Sequence, residues 1–180
     1  METKTASVVS VKSLRADPII EKALSLVEQS ESAISLERVE REMRVLHESR
    51  TSRKLYKAAL EPSSLSEASL RDMANRSRLS ELKAQVYVQK NALDVALEAA
   101  TAHMTTKYAA VLREVASTAG DRKYVIRKVL NPLVARIGEL GATMEVLDIH
   151  IKDIDQAAWS VKVAADMLKV ILERQGANVV

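Results

Sequence analysis

Side chains capable of acid–base, nucleophilic or metal chemistry are sparse in this chain of 180 residues. His47, His103 and His150 lie in three different segments, and none belongs to a Glu-x-x-His or His-x-x-x-His pair, the spacings that place two metal ligands on one helix face. The chain has no cysteine and only four glycines, so it lacks thiolate ligands and the glycine-rich loops that bind nucleotide phosphates. We therefore predict no catalytic residue, no metal site and no cofactor, and we expect a protein that is not an enzyme and has no small-molecule substrate.

Two clusters of basic residues depart from the otherwise even mixing of charge. The first cluster is Arg50, Arg53, Lys54 and Lys57, and the second is Arg122, Lys123, Arg127 and Lys128. Such clusters attract nucleic-acid phosphates or an anionic membrane surface. A net charge of only +3 is small for a dedicated nucleic-acid-binding protein. Three interpretations stay open: nucleic acid, an anionic membrane surface, and a face that is only solvated or paired with acids.

The composition favours helices. Apolar residues make up 47% of the chain and aromatic residues 3%, with four glycines and three prolines, whereas sheet proteins need more aromatic residues and more turns. No window is long and apolar enough to span a membrane, and the N-terminal residues lack the apolar core of a secretory signal. We expect a soluble, intracellular protein, cytoplasmic by default, and the hydroxyl-rich, basic first residues leave organelle import open.

Local signals divide the chain into helical segments. Asp17 and Pro18 mark an N-cap and the first position of a helix, after a flexible segment 1–16. A helix or helix pair is then predicted over 17–61, and a capping box from Ser64 to Glu67 begins a long helical hairpin over 62–176. Its two helices are expected at about 65–118 and 122–175, with Gly120 and Asp121 at the turn and a tail at 177–180. Asn131 and Pro132 predict a kink or restart in the second helix.

The second helix of the hairpin carries a heptad seam, in which apolar residues alternate at spacings of three and four. We expect this seam to pack helices through Ile137, Leu140, Met144, Leu147, Ile151, Ile154, Ala158, Val161, Ala165, Leu168 and Leu172. The first helix instead shows an eleven-residue period, through Leu93, Leu97, Ala100, Met104, Tyr108, Val111 and Val115. Because the two periods do not match, part of the heptad seam is predicted to pack between chains.

The second helix is also apolar away from its seam. Its charged residues form one narrow strip, predicted to be its solvated side, with pairs such as Asp148 with Lys152 and Lys169 with Glu173 four residues apart. Trp159 lies within this strip, between Asp155 and Lys162, and either a partner or another part of the chain is expected to cover it. A helix with so narrow a wet strip requires neighbours on both flanks. Either the earlier helices fold back to complete a self-contained four-helix bundle, or other copies of the chain supply the neighbours.

The sequence therefore predicts an all-α, elongated helical bundle built on a long antiparallel hairpin with coiled-coil character. The function we expect is that of a non-enzymatic structural, assembly or adaptor protein, whose partner is another copy of itself or a helix of another protein. The first alternative is a nucleic-acid-associated coat or packaging protein that uses the clusters at 50–57 and 122–128. The second alternative is a protein that assembles on a membrane surface.

Overall fold

The computed structural model describes the backbone of residues 11–49 and 62–177, and these residues form helices joined by short breaks, without a strand. The fold is all-α, as predicted. Its helices are α1 (Val11–Arg15), α2 (Pro18–Ala33), α3 (Leu36–Ser49), α4 (Pro62–Lys107), α5 (Ala109–Val115), α6 (Ala119–Val129) and α7 (Asn131–Ala177).

Two of the predicted helix starts are confirmed. Asp17 is the N-cap of α2, where its side chain accepts a hydrogen bond from the backbone N–H of Ile19 at 2.9 Å, and Pro18 is the first helical residue. The helix also restarts at the predicted proline, because α6 ends at Val129 and α7 begins at Asn131. Residues 11–15 are helical, with Leu14 buried, although we expected a flexible segment there.

The predicted turn of the hairpin was placed a few residues too late. Ala116 is the C-cap of α5 and Thr118 is the N-cap of α6, so Gly120 and Asp121 lie in the first turn of α6. The Thr118 hydroxyl accepts from the backbone N–H of Asp121 at 3.1 Å and donates to its carboxylate at 2.7 Å. The Thr118 hydroxyl thus satisfies one backbone N–H of the first turn of α6, as an N-cap side chain does.

The start of α4 and its far end also differ from expectation. The helix begins at Pro62, and Glu67 pairs with Arg71 one turn later. The side chain of Ser64, the other member of the predicted capping box, lies outside the described residues. At the other end a break at Tyr108 separates α4 from α5. Beyond this break Leu112 is buried and Val115, a predicted core residue, is 57% exposed, because the change in backbone direction turns a different side inward.

The described residues divide into two compact units. Unit 1 contains residues 11–36 and 85–143, and unit 2 contains residues 37–49, 62–84 and 144–177. Part of α4 and part of α7 belong to each unit, and the two long helices pack against each other.

The buried residues of both long helices recur at seven-residue steps. In α4 they include Asp72, Leu79, Val86, Leu93 and Ala100, and in α7 they include Leu133, Leu140, Leu147 and Ile154. The predicted eleven-residue period of α4, and the mismatch we inferred from it, were therefore wrong. The buried residues of α4 that precede Leu93 show a seven-residue period. The predicted positions after Tyr108 belong to α5, so they do not continue the stripe of α4. Full burial of each large aliphatic side chain contributes about 1.5–3 kcal/mol.

Candidate functional site

Among the described side chains, the heptad seam of α7 is more buried up to Ile154 than beyond it. Leu140, Leu147 and Ile154 are buried. Half-buried seam residues are Ile137, Met144, Ile151 and Val161. Ala158 and Ala165 are exposed, and the side chains of Leu168 and Leu172 lie outside the described residues. Ala158 and Ala165 thus have little cover from the described residues of unit 2.

A second apolar stripe runs along the same part of α7. Trp159, Val163, Met167 and Val170 follow one another at steps of four, four and three, which places them on one side of the helix, away from the seam. Trp159 is 67% exposed and Met167 is 64% exposed. We call these four residues the Trp159 stripe. We expected either a partner or another part of the chain to cover Trp159. The described residues of unit 2 do not cover it.

The charged strip of α7 is not entirely a solvated face. Lys83 Nζ lies 2.6 Å from Asp148 Oδ1, and Arg76 binds Asp155 through two hydrogen bonds of 2.6 and 3.2 Å. Asp148 therefore pairs with α4 instead of with Lys152, because an antiparallel neighbour offers a cation closer to its carboxylate. Lys169 and Glu173 do approach each other, at 4.0 Å.

These two ion pairs define the register of α4 and α7 in unit 2. Arg76 and Lys83 are seven residues apart in α4, and Asp155 and Asp148 are seven residues apart in α7 in the opposite direction. Each pair marks one heptad of an antiparallel contact, with its ions at the edge of the apolar seam. The Arg76 side chain holds the pKa of Asp155 below its ordinary value, mainly through their hydrogen bonds.

The second basic cluster divides between two cavities of unit 1. Arg122, Lys123 and Arg127 line a cavity of about 660 Å³, whereas Lys128 lines a separate one of about 230 Å³. The Arg122 guanidinium donates to the carbonyl oxygens of Ala116 and Ser117 at 3.2 and 3.1 Å, so it caps the end of α5. The first cluster, Arg50, Arg53, Lys54 and Lys57, lies outside the described residues.

A buried carboxylate in unit 1 gathers side chains that the sequence separates by about ninety residues. Asp17 Oδ2 accepts from Lys107 Nζ at 2.6 Å and from the Tyr108 hydroxyl at 2.8 Å, and His103 Nε2 lies 3.1 Å from Oδ1. The Asp17 side chain is 1% exposed. These contacts join the start of α2 to the break between α4 and α5.

The electrostatics of this Asp17 cluster favour stability over catalysis. Hydrogen bonds from Lys107, Tyr108 and His103 lower the pKa of Asp17 far below its ordinary value, although burial opposes the shift. The hydrogen bond to Asp17 raises the pKa of Lys107 and also that of Tyr108. A carboxylate so stabilised is a weak base, and a lysine with a raised pKa is a poor nucleophile at neutral pH.

The histidines do not form a metal site with acids in the described chain. His47 of α3 and His150 of α7 have ring centroids 5.1 Å apart in unit 2, while His103 belongs to the Asp17 cluster of unit 1. Among the described residues, no three histidine, aspartate or glutamate side chains are grouped so that they could hold a metal ion.

Sequence reasoning missed a buried arginine in unit 1. Arg136 of α7 donates from Nη2 to the carbonyl oxygen of Ile34, the C-cap of α2, at 2.8 Å, and from Nη1 to Glu139 at 3.1 Å. Its side chain is 7% exposed. In the sequence, Arg136 resembles an ordinary surface cation next to the seam. Its role becomes visible only in the structure, where the end of α2 packs against it.

Within residues 11–49 and 62–177, none of the helices has the length and apolar character required to cross a membrane. Comparison of the chain with protein-family models, with curated proteins and with solved structures finds no significant match.

Proposed function

We propose that this protein is a non-enzymatic structural or adaptor protein that associates with copies of itself through the C-terminal half of α7. The observation that supports this proposal most directly is the Trp159 stripe, in which two large apolar side chains are about two-thirds exposed on one face. Contiguous exposed apolar surface of this kind is typical of protein–protein contacts, and tryptophan is enriched among the residues that dominate binding energy.

The seam on the other side of α7 supports the same proposal. Ala158 and Ala165 are small and exposed at seam positions that continue from the buried Leu147 and Ile154. A helix that approaches these alanines closely would extend, with another chain, the coiled-coil packing that begins within unit 2. This part of α7 therefore offers two faces to neighbouring helices.

The charges of this segment favour a second copy as the partner. Between residues 155 and 174 the acids Asp155, Asp166 and Glu173 are balanced by Lys162, Lys169 and Arg174. A helix with alternating charges of both signs pairs with an identical helix without net repulsion, whereas a strongly acidic or basic helix selects an opposite partner. Apolar burial supplies the affinity and the alternating charges set the alignment.

Trp159 provides the test, because it is the only tryptophan of the chain. We expect light scattering on a sizing column to give a multimer at micromolar concentration. Upon dilution, the mass should fall to that of the monomer and the tryptophan emission should shift to longer wavelength as the indole enters water. Met167→Lys and Val170→Lys together should shift the dissociation to at least tenfold higher concentration, because two apolar contacts are replaced by charges.

The matched control is Val88→Lys together with Val95→Lys, which places two lysines on exposed valines of α4 in unit 1. This variant should retain the mass and emission of the unaltered protein. A monomer at all accessible concentrations, with circular dichroism showing intact helices, would refute self-association. A multimer that the Met167 and Val170 substitutions leave unchanged would refute the assignment of the surface.

A further inference from the structure

The larger cavity of unit 1 has an apolar floor and a positively charged rim. The floor is formed by α4, α5, α6 and the start of α7, through Leu97, Ala109, Leu112, Ile126, Leu130 and Val134. The residues Arg113 of α5 and Arg122, Lys123 and Arg127 of α6 lie at the rim, and among the described residues no acidic side chain lines the cavity. Its volume of about 660 Å³ falls within the range of small-molecule sites.

Three of the four rim cations make no ion pair or side-chain hydrogen bond within the described part of the chain. Arg122 is occupied with the carbonyl oxygens of Ala116 and Ser117. For Arg113, Lys123 and Arg127, the described residues supply neither an ion pair nor a side-chain hydrogen bond. The nearby acid Asp121 is engaged by the Thr118 hydroxyl. The rim therefore presents uncompensated positive charge beside an apolar surface.

From this arrangement we infer that the cavity binds a single-chain anionic amphiphile, of which a long-chain fatty acid is the simplest example. The acyl chain lies along the apolar floor, and the carboxylate binds Lys123 and Arg127 on one side and Arg113 on the other. Lys123 and Arg127 are four residues apart in α6 and so present their charges on the same face. Both parts of the ligand are matched: apolar area is removed from water, and the anion meets charge-assisted hydrogen-bond donors.

The volume of the cavity favours such a ligand over a partner helix. A helix with its side chains is about 10–12 Å wide, so two turns of it occupy roughly 1,000 Å³, more than the cavity holds. A single acyl chain is narrower than a helix and flexible, so it can follow the apolar floor. The ligand site lies in unit 1 and the Trp159 stripe lies in unit 2, so this inference does not depend on self-association.

Titration calorimetry with palmitate, below its micelle concentration, tests the inference on the full chain. We expect saturable binding, and octanoate should bind at least tenfold more weakly, because each buried methylene contributes a factor of about four. Hexadecyltrimethylammonium, which has the same chain length and the opposite charge, should bind at least tenfold more weakly than palmitate. Equal affinity for the anionic and cationic amphiphiles would overturn the role of the rim.

Two variants and one matched control separate the rim from the floor. Lys123→Gln with Arg127→Gln should lower the affinity for palmitate about tenfold. Thr105→Phe should also lower this affinity, because the larger side chain fills part of the cavity. Lys128→Gln removes a neighbouring cation of α6 that does not line this cavity, so it should leave binding unchanged. Circular dichroism checks that each variant is folded, and binding that survives Thr105→Phe would overturn the location.

Other anionic ligands give distinct results. A short single-stranded oligonucleotide or vesicles containing phosphatidylserine should compete poorly with palmitate, since neither places an acyl chain on the apolar floor. Binding of the oligonucleotide without binding of palmitate would overturn the inference in favour of nucleic acid. Binding only to vesicles would overturn it in favour of a membrane surface.

Discussion

The guanidinium of Arg136 lies against the C-terminal end of α2, with Nη2 2.8 Å from the carbonyl oxygen of Ile34. The last carbonyl groups of a helix have no partner within it, and a cation there also meets the negative end of the helix dipole. Because both groups are buried, water cannot replace the arginine. This contact fixes α2 on α7 in unit 1.

We therefore expect Arg136→Met to lower the free energy of unfolding by about 1–3 kcal/mol, the cost of leaving buried acceptors unsatisfied. Urea denaturation at constant protein concentration measures the change. Glu139→Gln is the control: it removes the negative charge of another partner of Arg136, one that is more than half exposed, and should cost under about 1 kcal/mol. Equal urea midpoints for Arg136→Met and the unaltered protein would show that the contact is dispensable.

The Asp17 cluster predicts a loss of stability in acid. The pKa of Asp17 is lowered in the folded chain, so its contribution is complete above the unfolded value of about 3.9 and declines as the pH falls below it. The urea midpoint should therefore drop steeply between pH 4 and pH 2. In Asp17→Asn this slope should be shallower, and an unchanged slope would mean that other carboxylates cause the acid loss.

The Asp17 cluster also predicts a loss of stability at alkaline pH. The pKa values of Lys107 and Tyr108 are raised in the folded chain, so their contributions are complete below their unfolded values of about 10 and disappear as the pH rises through the folded values. The contribution of these two groups should thus be constant up to about pH 9 and decline at higher pH. Lys107→Met should be less stable at neutral pH, with a shallower alkaline decline.

The ion pair between Arg76 and Asp155 should contribute little by itself. Both side chains are about half exposed, and exposed pairs typically contribute 0–1 kcal/mol. Asp155→Arg should destabilise the fold by repelling Arg76, and the double exchange Arg76→Asp with Asp155→Arg should recover most of that loss. A double-mutant cycle measures the coupling, and a double variant as unstable as Asp155→Arg would show that the pair does not act as a pair.

Gly138 offers a stabilising substitution. A Cβ built on this helical residue meets nothing within 4 Å, so Gly138→Ala should raise the free energy of unfolding by about 0.5–1 kcal/mol. Gly141→Ala is the comparison, because its Cβ lies at ordinary contact distance, 3.7 Å, from Lys90 Cε and should gain no more. Thermal denaturation followed by circular dichroism measures both, and a lower melting temperature for Gly138→Ala would contradict the open surroundings.

Truncation of two seam residues of α7 should lower the free energy of unfolding by different amounts. Leu147 is fully buried and Ile151 is half-buried, so truncation of Leu147 to alanine should cost about 2–5 kcal/mol and that of Ile151 distinctly less. Urea denaturation of the two variants at equal concentration gives the comparison. Costs in the reverse order would mean that Ile151 is covered by another chain.

Sequence patterns predicted the elements whose causes are local. Asp17 and Pro18 mark the start of α2, and Pro132 marks the restart at α7, because an N-cap and a missing N–H act on the residues beside them. The prediction of the hairpin turn at Gly120 was wrong, because Thr118 is the N-cap of α6 and Gly120 lies inside that helix. The apolar heptads of α7 predicted Leu140, Leu147 and Ile154 as core residues.

What the sequence could not predict depends on contacts between distant segments. Asp17 was identified as a cap, but its contacts with Lys107 and Tyr108 arise only when the end of α4 arrives beside α2. Asp148 and Asp155 were assigned to a solvated strip, because the antiparallel register that brings Lys83 and Arg76 to them is not visible in the periodicity of one helix. Local spacing shows which faces are apolar, not which cations come to their edges.

The ladder of Arg76 with Asp155 and Lys83 with Asp148 also guards unit 2 against misalignment. Heptad seams are nearly repetitive, so sliding α7 past α4 by one repeat leaves aliphatic residues facing aliphatic residues and costs little in the core. A slip that brings Asp155 opposite Lys83 would bring Lys162 opposite Arg76, so that a like-charge clash replaces an attraction. These ion pairs contribute little to the stability of the native alignment, but they raise the free energy of this slipped one, so they help to select between two alignments that the apolar residues would accept.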